Sequence, residues 1–101
     1  MSLTAIKRLV ATGRYRYSSK VRVLIEDGWF DEADLVHFVL SAARIYKKER
    51  DELQQSRGNL KYVIVGRDTH GRPFYTAGKI LSGAQGQLYF YITAHQADVA
   101  P

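Results

Sequence analysis

The chain has 101 residues, 46% hydrophobic and 25% charged, with a net charge of +5 and no cysteine. That length supports one domain around one core, and the missing cysteine excludes disulfides and thiolate zinc sites. No apolar run approaches the roughly 20 residues needed to span a bilayer.

MSLTAIKRLV is followed by neither a long apolar stretch nor a small-residue cleavage site, so no signal peptide and a cytoplasmic location are expected. Residues 4–12 read as a helix, with Leu3, Ile6 and Val10 at helical spacing and Gly13 at its stop. Ser18 and Ser19 suit the N-cap of a second helix that carries Val21, Leu24 and Ile25 on one face and ends at Gly28. Asp31 caps a third, whose Leu35, Phe38, Val39 and Ala42 follow the i, i+3, i+4, i+7 pattern. Asp31, Glu32 and Asp34 complement the positive end of that helix and need no further role. The first 25 residues also hold Lys7, Arg8, Arg14, Arg16, Lys20 and Arg22 with no acid. Such a segment suits a polyanion-binding surface or a solvated helix face equally well.

RIYKKERDELQQSRGN, residues 44–59, reads as a short edge strand running into a loop or as a frayed helix, and ends in a turn signal at QSRGN. The period then becomes two. KYVIVGR (61–67), the turn DTHG and RPFYTAGKI (72–80) form a hairpin, with Pro73 at an edge or irregular position. SGAQG is the next turn and QLYFYITAH (87–95) the last strand. The expected fold is a single α+β domain, residues 1–101, with N-terminal helices packed on one face of a small antiparallel sheet.

Alternation in the last strand separates Leu88, Phe90, Ile92 and Ala94 from Gln87, Tyr89, Tyr91, Thr93 and His95. The first set is expected in the core and the second outside, facing the same way as Tyr75 and Lys79 unless Gly78 marks a bulge. Aromatic rings among cations suit single-stranded nucleic acid, so Arg67, Arg72, Lys79, Tyr89, Tyr91 and Lys20 are candidate RNA-binding residues. Tyrosine and threonine on an exposed strand also follow from β propensity alone.

Other chemistries find no pattern. His37, His70 and His95 lack metal-ligand spacing, and no phosphate loop, nucleophile elbow or dinucleotide fingerprint occurs, so neither metal nor cofactor is expected. Asp68 is expected to shape its turn, with His70 solvated at the tip. Metal-free RNA cleavage remains, because RNA supplies its own 2′-hydroxyl nucleophile. His95 and Tyr75 are candidate proton-transfer groups, with Lys47, Arg67, Arg72 and Lys79 available to hold the phosphate.

VGRDTHGRPFY with the later ITAHQAD resembles the uncharacterised bacterial domain-of-unknown-function (DUF) family 4258, whose members typically read Gly-Arg-Asp-x-x-Gly-Arg-Pro. The resemblance runs from about Ile6 to Asp98. That family is itself similar to the RelE-superfamily toxins, including the BrnT and MqsR types, which are small basic α+β ribonucleases paired with antitoxins. The resemblance implies a RelE/BrnT-like fold, RNA as substrate and a cognate antitoxin as protein partner. It places a catalytic lysine on Lys47, a catalytic tyrosine on Tyr75 and a C-terminal cation near His95. Lys20 stands where relatives often carry the histidine of Ser-x-His-Ala. The expected function is a metal-independent endoribonuclease. The alternative is a non-catalytic module of the same fold that binds RNA or a partner protein.

Overall fold

The chain, taken from a computed structural model, is described for residues 3–50 and 60–97. Three helices, α1 (Leu3–Ala11), α2 (Ser19–Glu26) and α3 (Glu32–Leu40), surround a short strand β1 (Tyr15–Tyr17). The strands β2 (Ile45–Arg50), β3 (Leu60–Arg67), β4 (Pro73–Gly83) and β5 (Gly86–Gln96) follow. No helix among the described residues is long and apolar enough to cross a membrane.

The helix boundaries follow from local chemistry. The Ser18 hydroxyl accepts the Val21 N–H at 3.2 Å, and Gly28 adopts a φ of 85° just beyond α2. Asp31 and Asp34 form a reciprocal capping box at the start of α3, with bonds of 2.9 and 3.0 Å. All three helices pack on one face of the sheet. Ile6, Val10, Val21, Leu35, Phe38 and Val39 join Tyr62, Ile64, Phe74, Tyr89, Tyr91 and Ala94 in one buried cluster. Phe38 stacks on Phe74 at 4.5 Å between ring centres, and Phe30 meets both rings edge-on. Each such pair adds about 0.5–1.5 kcal/mol beyond its buried area.

The fold class is α+β, but the sheet is mixed rather than antiparallel. Its strand order is β1-β5-β4-β3-β2, and β1 runs parallel to β5 with Tyr15 opposite Tyr89 and Tyr17 opposite Tyr91. A three-residue strand between helices is too short to carry a period-two signal, so YRY reads as a linker in the sequence. At the other edge, the first part of the ambiguous segment is strand β2, antiparallel to β3. The rest of it, including the turn QSRGN, lies outside the described residues.

A second correction concerns β5. Tyr89 and Tyr91 are both 0% exposed and sit in the core, whereas Leu88, Phe90 and Ile92 are only half-buried. Strand β5 pairs Ala77 with Thr93 but Gly78 with Tyr91, so Ile92 is an extra residue without a partner on β4. One extra residue reverses the alternation. Before the bulge, Tyr89 and Tyr91 face the helices; after it, Ala94 does, and Thr93 and His95 face the other way. The bulge lies on β5, opposite Gly78. It is tied to α2 by Ser18, whose hydroxyl donates to the Ile92 carbonyl at 2.8 Å and whose N–H donates to Tyr91 at 3.0 Å.

Candidate functional site

The motif GRDTHGR is consumed by the β3–β4 turn. Asp68 is fully buried; its Oδ1 accepts the N–H groups of His70 (2.9 Å) and Arg72 (2.8 Å), and its Oδ2 accepts Nε of Arg72 (2.7 Å). Burial works to raise the Asp68 pKa, but the donors from Arg72 and His70 outweigh it and hold the carboxyl below its ordinary value. Gly71 supplies the left-handed residue that closes the turn, at φ 86°. At Gly66 a Cβ would overlap the Phe38 carbonyl, so the glycine lets α3 approach the strand. Asp34 completes the anchorage. Its Oδ1 accepts both the N–H and the hydroxyl of Thr69 at 2.8 Å, which joins the turn to the start of α3. Burial opposes ionisation here too, yet the donors from Thr69 and Asp31 bring the Asp34 pKa down to about 2.

Asp34, Asp68 and His70 bring their ligating atoms within 4.8 Å of one another. Both carboxylates are already committed to N–H and O–H donors, and Asp68 carries the Arg72 cation. This cluster is a structural clamp.

The opposite face of the sheet is different. Tyr75 lies directly across from His95 in the β4–β5 ladder, their rings 5.4 Å apart. Two residues further along, Ala77 pairs with Thr93 on one side and with Val63 on the other, and Val63 pairs with Lys47. Strand rise separates these two rows by about 7 Å. Strand β2 also bulges: Ile45 pairs with Ile64 and Lys47 with Val63, leaving Tyr46 as the extra residue. Its ring is half exposed and meets Tyr75 edge-on at 5.9 Å. The outcome is an open cleft of about 340 Å³ walled by Tyr46, Lys47, Tyr75 and His95, with Val63, Ala77 and Thr93 between them. Glu49 also lines it and pairs with Lys47 and Lys61, each at 3.7 Å. An anion there competes with a carboxylate for the Lys47 ammonium.

The residues expected from sequence divide as follows. Lys47, Tyr75 and His95 line this one cleft. Arg67 lies on the same face, one ladder step past Val65 and Tyr75, and its Nη1 donates to the Gly71 carbonyl at 2.8 Å. Lys79 shares the parity of Tyr75 but pairs with Phe90, beyond the cleft. Arg72 does not belong: it is bound to Asp68 and lies 6.0 Å from the Phe74 ring, on the core side. Tyr89 and Tyr91 are excluded from any RNA-facing surface because they are core residues. Lys20 is exposed on α2, in the helical layer. Arg14, part of the basic N-terminal segment, clamps the β4–β5 turn through the carbonyls of Gln85 (2.7 Å) and Gln87 (2.8 Å). His37 lies on the flank of α3 and donates from Nδ1 to the Arg67 carbonyl at 2.7 Å.

Sequence reasoning missed Tyr46 as a wall of the cleft and Asp34 as an anchor of the turn. The short alternation in IYKKE carries a strand signal, but the bulge that aims Tyr46 leaves no mark in one strand read alone. No family model, no curated protein and no solved structure matches the chain.

Proposed function

We propose that this protein is a toxin-like, metal-independent endoribonuclease of RelE/BrnT-like fold, acting on RNA in the cytoplasm and held in check by a cognate antitoxin protein. The observation that supports the reading is the convergence of Tyr75, His95 and Lys47 on one open cleft of the sheet. A phenol, an imidazole and an ammonium supply what RNA self-cleavage lacks. The His95 imidazole takes the proton of the 2′-hydroxyl as its oxygen bonds to phosphorus. Lys47 offsets the charge that grows on the phosphorane. The bond from phosphorus to the 5′-oxygen breaks, and that oxygen takes a proton from the Tyr75 phenol. The products are a 2′,3′-cyclic phosphate and a free 5′-hydroxyl.

The Gly-Arg-Asp-x-x-Gly-Arg-Pro residues that carry the proposed resemblance to DUF family 4258 lie at the hairpin turn rather than in the cleft. Gly66, Asp68, Gly71 and Arg72 build the turn, and none of them is a wall of the cleft. Activity rests on Tyr75, His95 and Lys47 alone.

The test is cleavage of single-stranded RNA with EDTA present. Tyr75→Phe and His95→Ala are each expected to slow it by about 10²-fold or more while leaving the circular dichroism spectrum and the unfolding midpoint in place. A folded wild-type protein that binds RNA without cutting it identifies a non-catalytic binding module instead. Cleavage only with added metal refutes the mechanism.

A further inference from the structure

A second cavity adjoins the cleft, and Tyr46 lines both. It is a notch in the sheet edge. Strand β2 pairs with β3 only as far as Ile64, so Val65, Gly66 and Arg67 continue without a β2 neighbour. The connection from α3 carries Arg44 past that gap before the chain enters β2. The notch holds about 340 Å³, and Arg44, Tyr46, Val65 and Arg67 line it. This size falls within the range of small-molecule sites.

Its chemistry is that of an anion site with an aromatic wall. Arg44 is exposed and has no hydrogen-bond or ion-pair partner among the described residues. Arg67 uses Nη1 for the Gly71 carbonyl, which fixes its guanidinium and leaves Nε and Nη2 without a partner among the described residues. Two arginines lining one cavity, one with its guanidinium tied by a single bond and one unpaired among the described residues, supply the donors that phosphate oxygens accept. Tyr46 meets Tyr75 at an interplanar angle of 72°, so it does not stack face to face with that ring. A half-exposed tyrosine lining the same cavity as two arginines suits a nucleobase next to its phosphate.

We infer that the notch binds the nucleotide adjoining the one in the cleft, with its phosphate between Arg44 and Arg67 and its base on Tyr46. The ligand class is single-stranded nucleic acid engaged through at least two consecutive nucleotides. The inference rests on the functional reading above for the position of the strand, while the binding itself needs no chemistry.

A fully 2′-deoxy oligonucleotide, which has no nucleophile to react, separates the two. Anisotropy titrations over a range of salt are compared for wild type, Arg44→Ala, Tyr46→Ala and, as a remote cation control, Arg8→Ala on α1. Arg44→Ala is expected to weaken binding about tenfold, the scale of one hydrogen-bonded charge contact, and to reduce the salt slope by about 0.7. Tyr46→Ala is expected to weaken binding with the slope unchanged, and Arg8→Ala to change neither. Equal affinities for wild type and Arg44→Ala, or an equal loss in Arg8→Ala, overturn the notch. A 5′-mononucleotide is expected to bind at least about tenfold more weakly than the strand, since it loses one charged phosphate contact; equal affinity overturns the two-nucleotide assignment in favour of a free-nucleotide site. Arg44-dependent binding without RNA cleavage refutes only the enzyme. Cleavage that depends on Tyr75 and His95 but not on Arg44 refutes only the notch.

Discussion

The guanidinium of Arg72 meets the buried carboxylate of Asp68 at 2.7 Å, and this pair turns an apparent RNA-binding cation into part of the protein's own scaffold. The same carboxylate receives two backbone N–H groups, so the turn between β3 and β4 is organised around one acidic side chain. Tyr75, one residue past Phe74, lies on the opposite face of the hairpin and lines the cleft.

Removing the carboxylate tests that account. Asp68→Ala strands two N–H donors and the Arg72 side chain, and is expected to cost about 2–4 kcal/mol in a urea titration. Arg72→Ala leaves the buried charge with its backbone donors and should cost less. If Asp68→Ala unfolds at the wild-type midpoint, the turn is held by something else.

The two core tyrosines make opposite predictions. The Tyr91 hydroxyl donates to the Leu35 carbonyl at 2.6 Å, whereas the Tyr89 hydroxyl is buried with no partner among the described residues. Tyr91→Phe should therefore destabilise by about 1–2 kcal/mol, while Tyr89→Phe should be neutral or stabilising, because it removes an unsatisfied polar group. Truncation of either ring to alanine should cost about 3–5 kcal/mol, more than Phe90→Ala on the half-buried face. Chemical denaturation of the five variants gives the order directly, and a larger loss for Phe90→Ala would reverse the faces.

Gly66 is expected to tolerate nothing larger. A methyl there meets the Phe38 carbonyl, which is helix backbone and cannot rotate away, so Gly66→Ala should push α3 off the sheet and cost about 3 kcal/mol, the upper end for an overpacked site. Gly83 has open space around it and a backbone that any residue can adopt, and Gly83→Ala should change stability by less than about 1 kcal/mol. Thermal melts of the two variants suffice, and a stable Gly66→Ala would contradict the close approach.

Acid should loosen the tie between α3 and the turn. The Asp34 carboxyl titrates near 2 in the folded protein, below its unfolded value of about 3.9. Its contribution is therefore complete above about pH 5 and is lost progressively as the pH falls through 4 towards 2, amounting to about 2–3 kcal/mol. Asp34→Asn should lower stability at pH 5 and flatten the pH dependence between 4 and 2, read from urea midpoints at each pH. An equally steep slope in the variant would assign the acid sensitivity to other carboxylates.

Local chemistry was legible in the sequence. Ser18, Asp31 and Gly28 mark helix ends because caps act over three or four residues, and DTHG marks a turn because Asp68 bonds its own neighbours. Period-two runs located β3, β4 and β5, and with them the α+β class. Parity along β4 placed Tyr75 on the face away from the helices, and that held because β4 carries no bulge. The faces of β5 were not legible. Gln87, Tyr89, Tyr91, Thr93 and His95 form one unbroken alternation in sequence, and the strand divides it at Ile92, where the register with β4 slips by one. A bulge is a property of two paired strands and their packing. Here Ser18, more than 70 residues away in the chain, bonds the carbonyls of Tyr91 and of the bulged Ile92. For the same reason the parallel strand β1, the burial of Tyr89 and Tyr91, the bond from Thr69 to Asp34 and the aim of Tyr46 into the cleft were decided only when distant segments met.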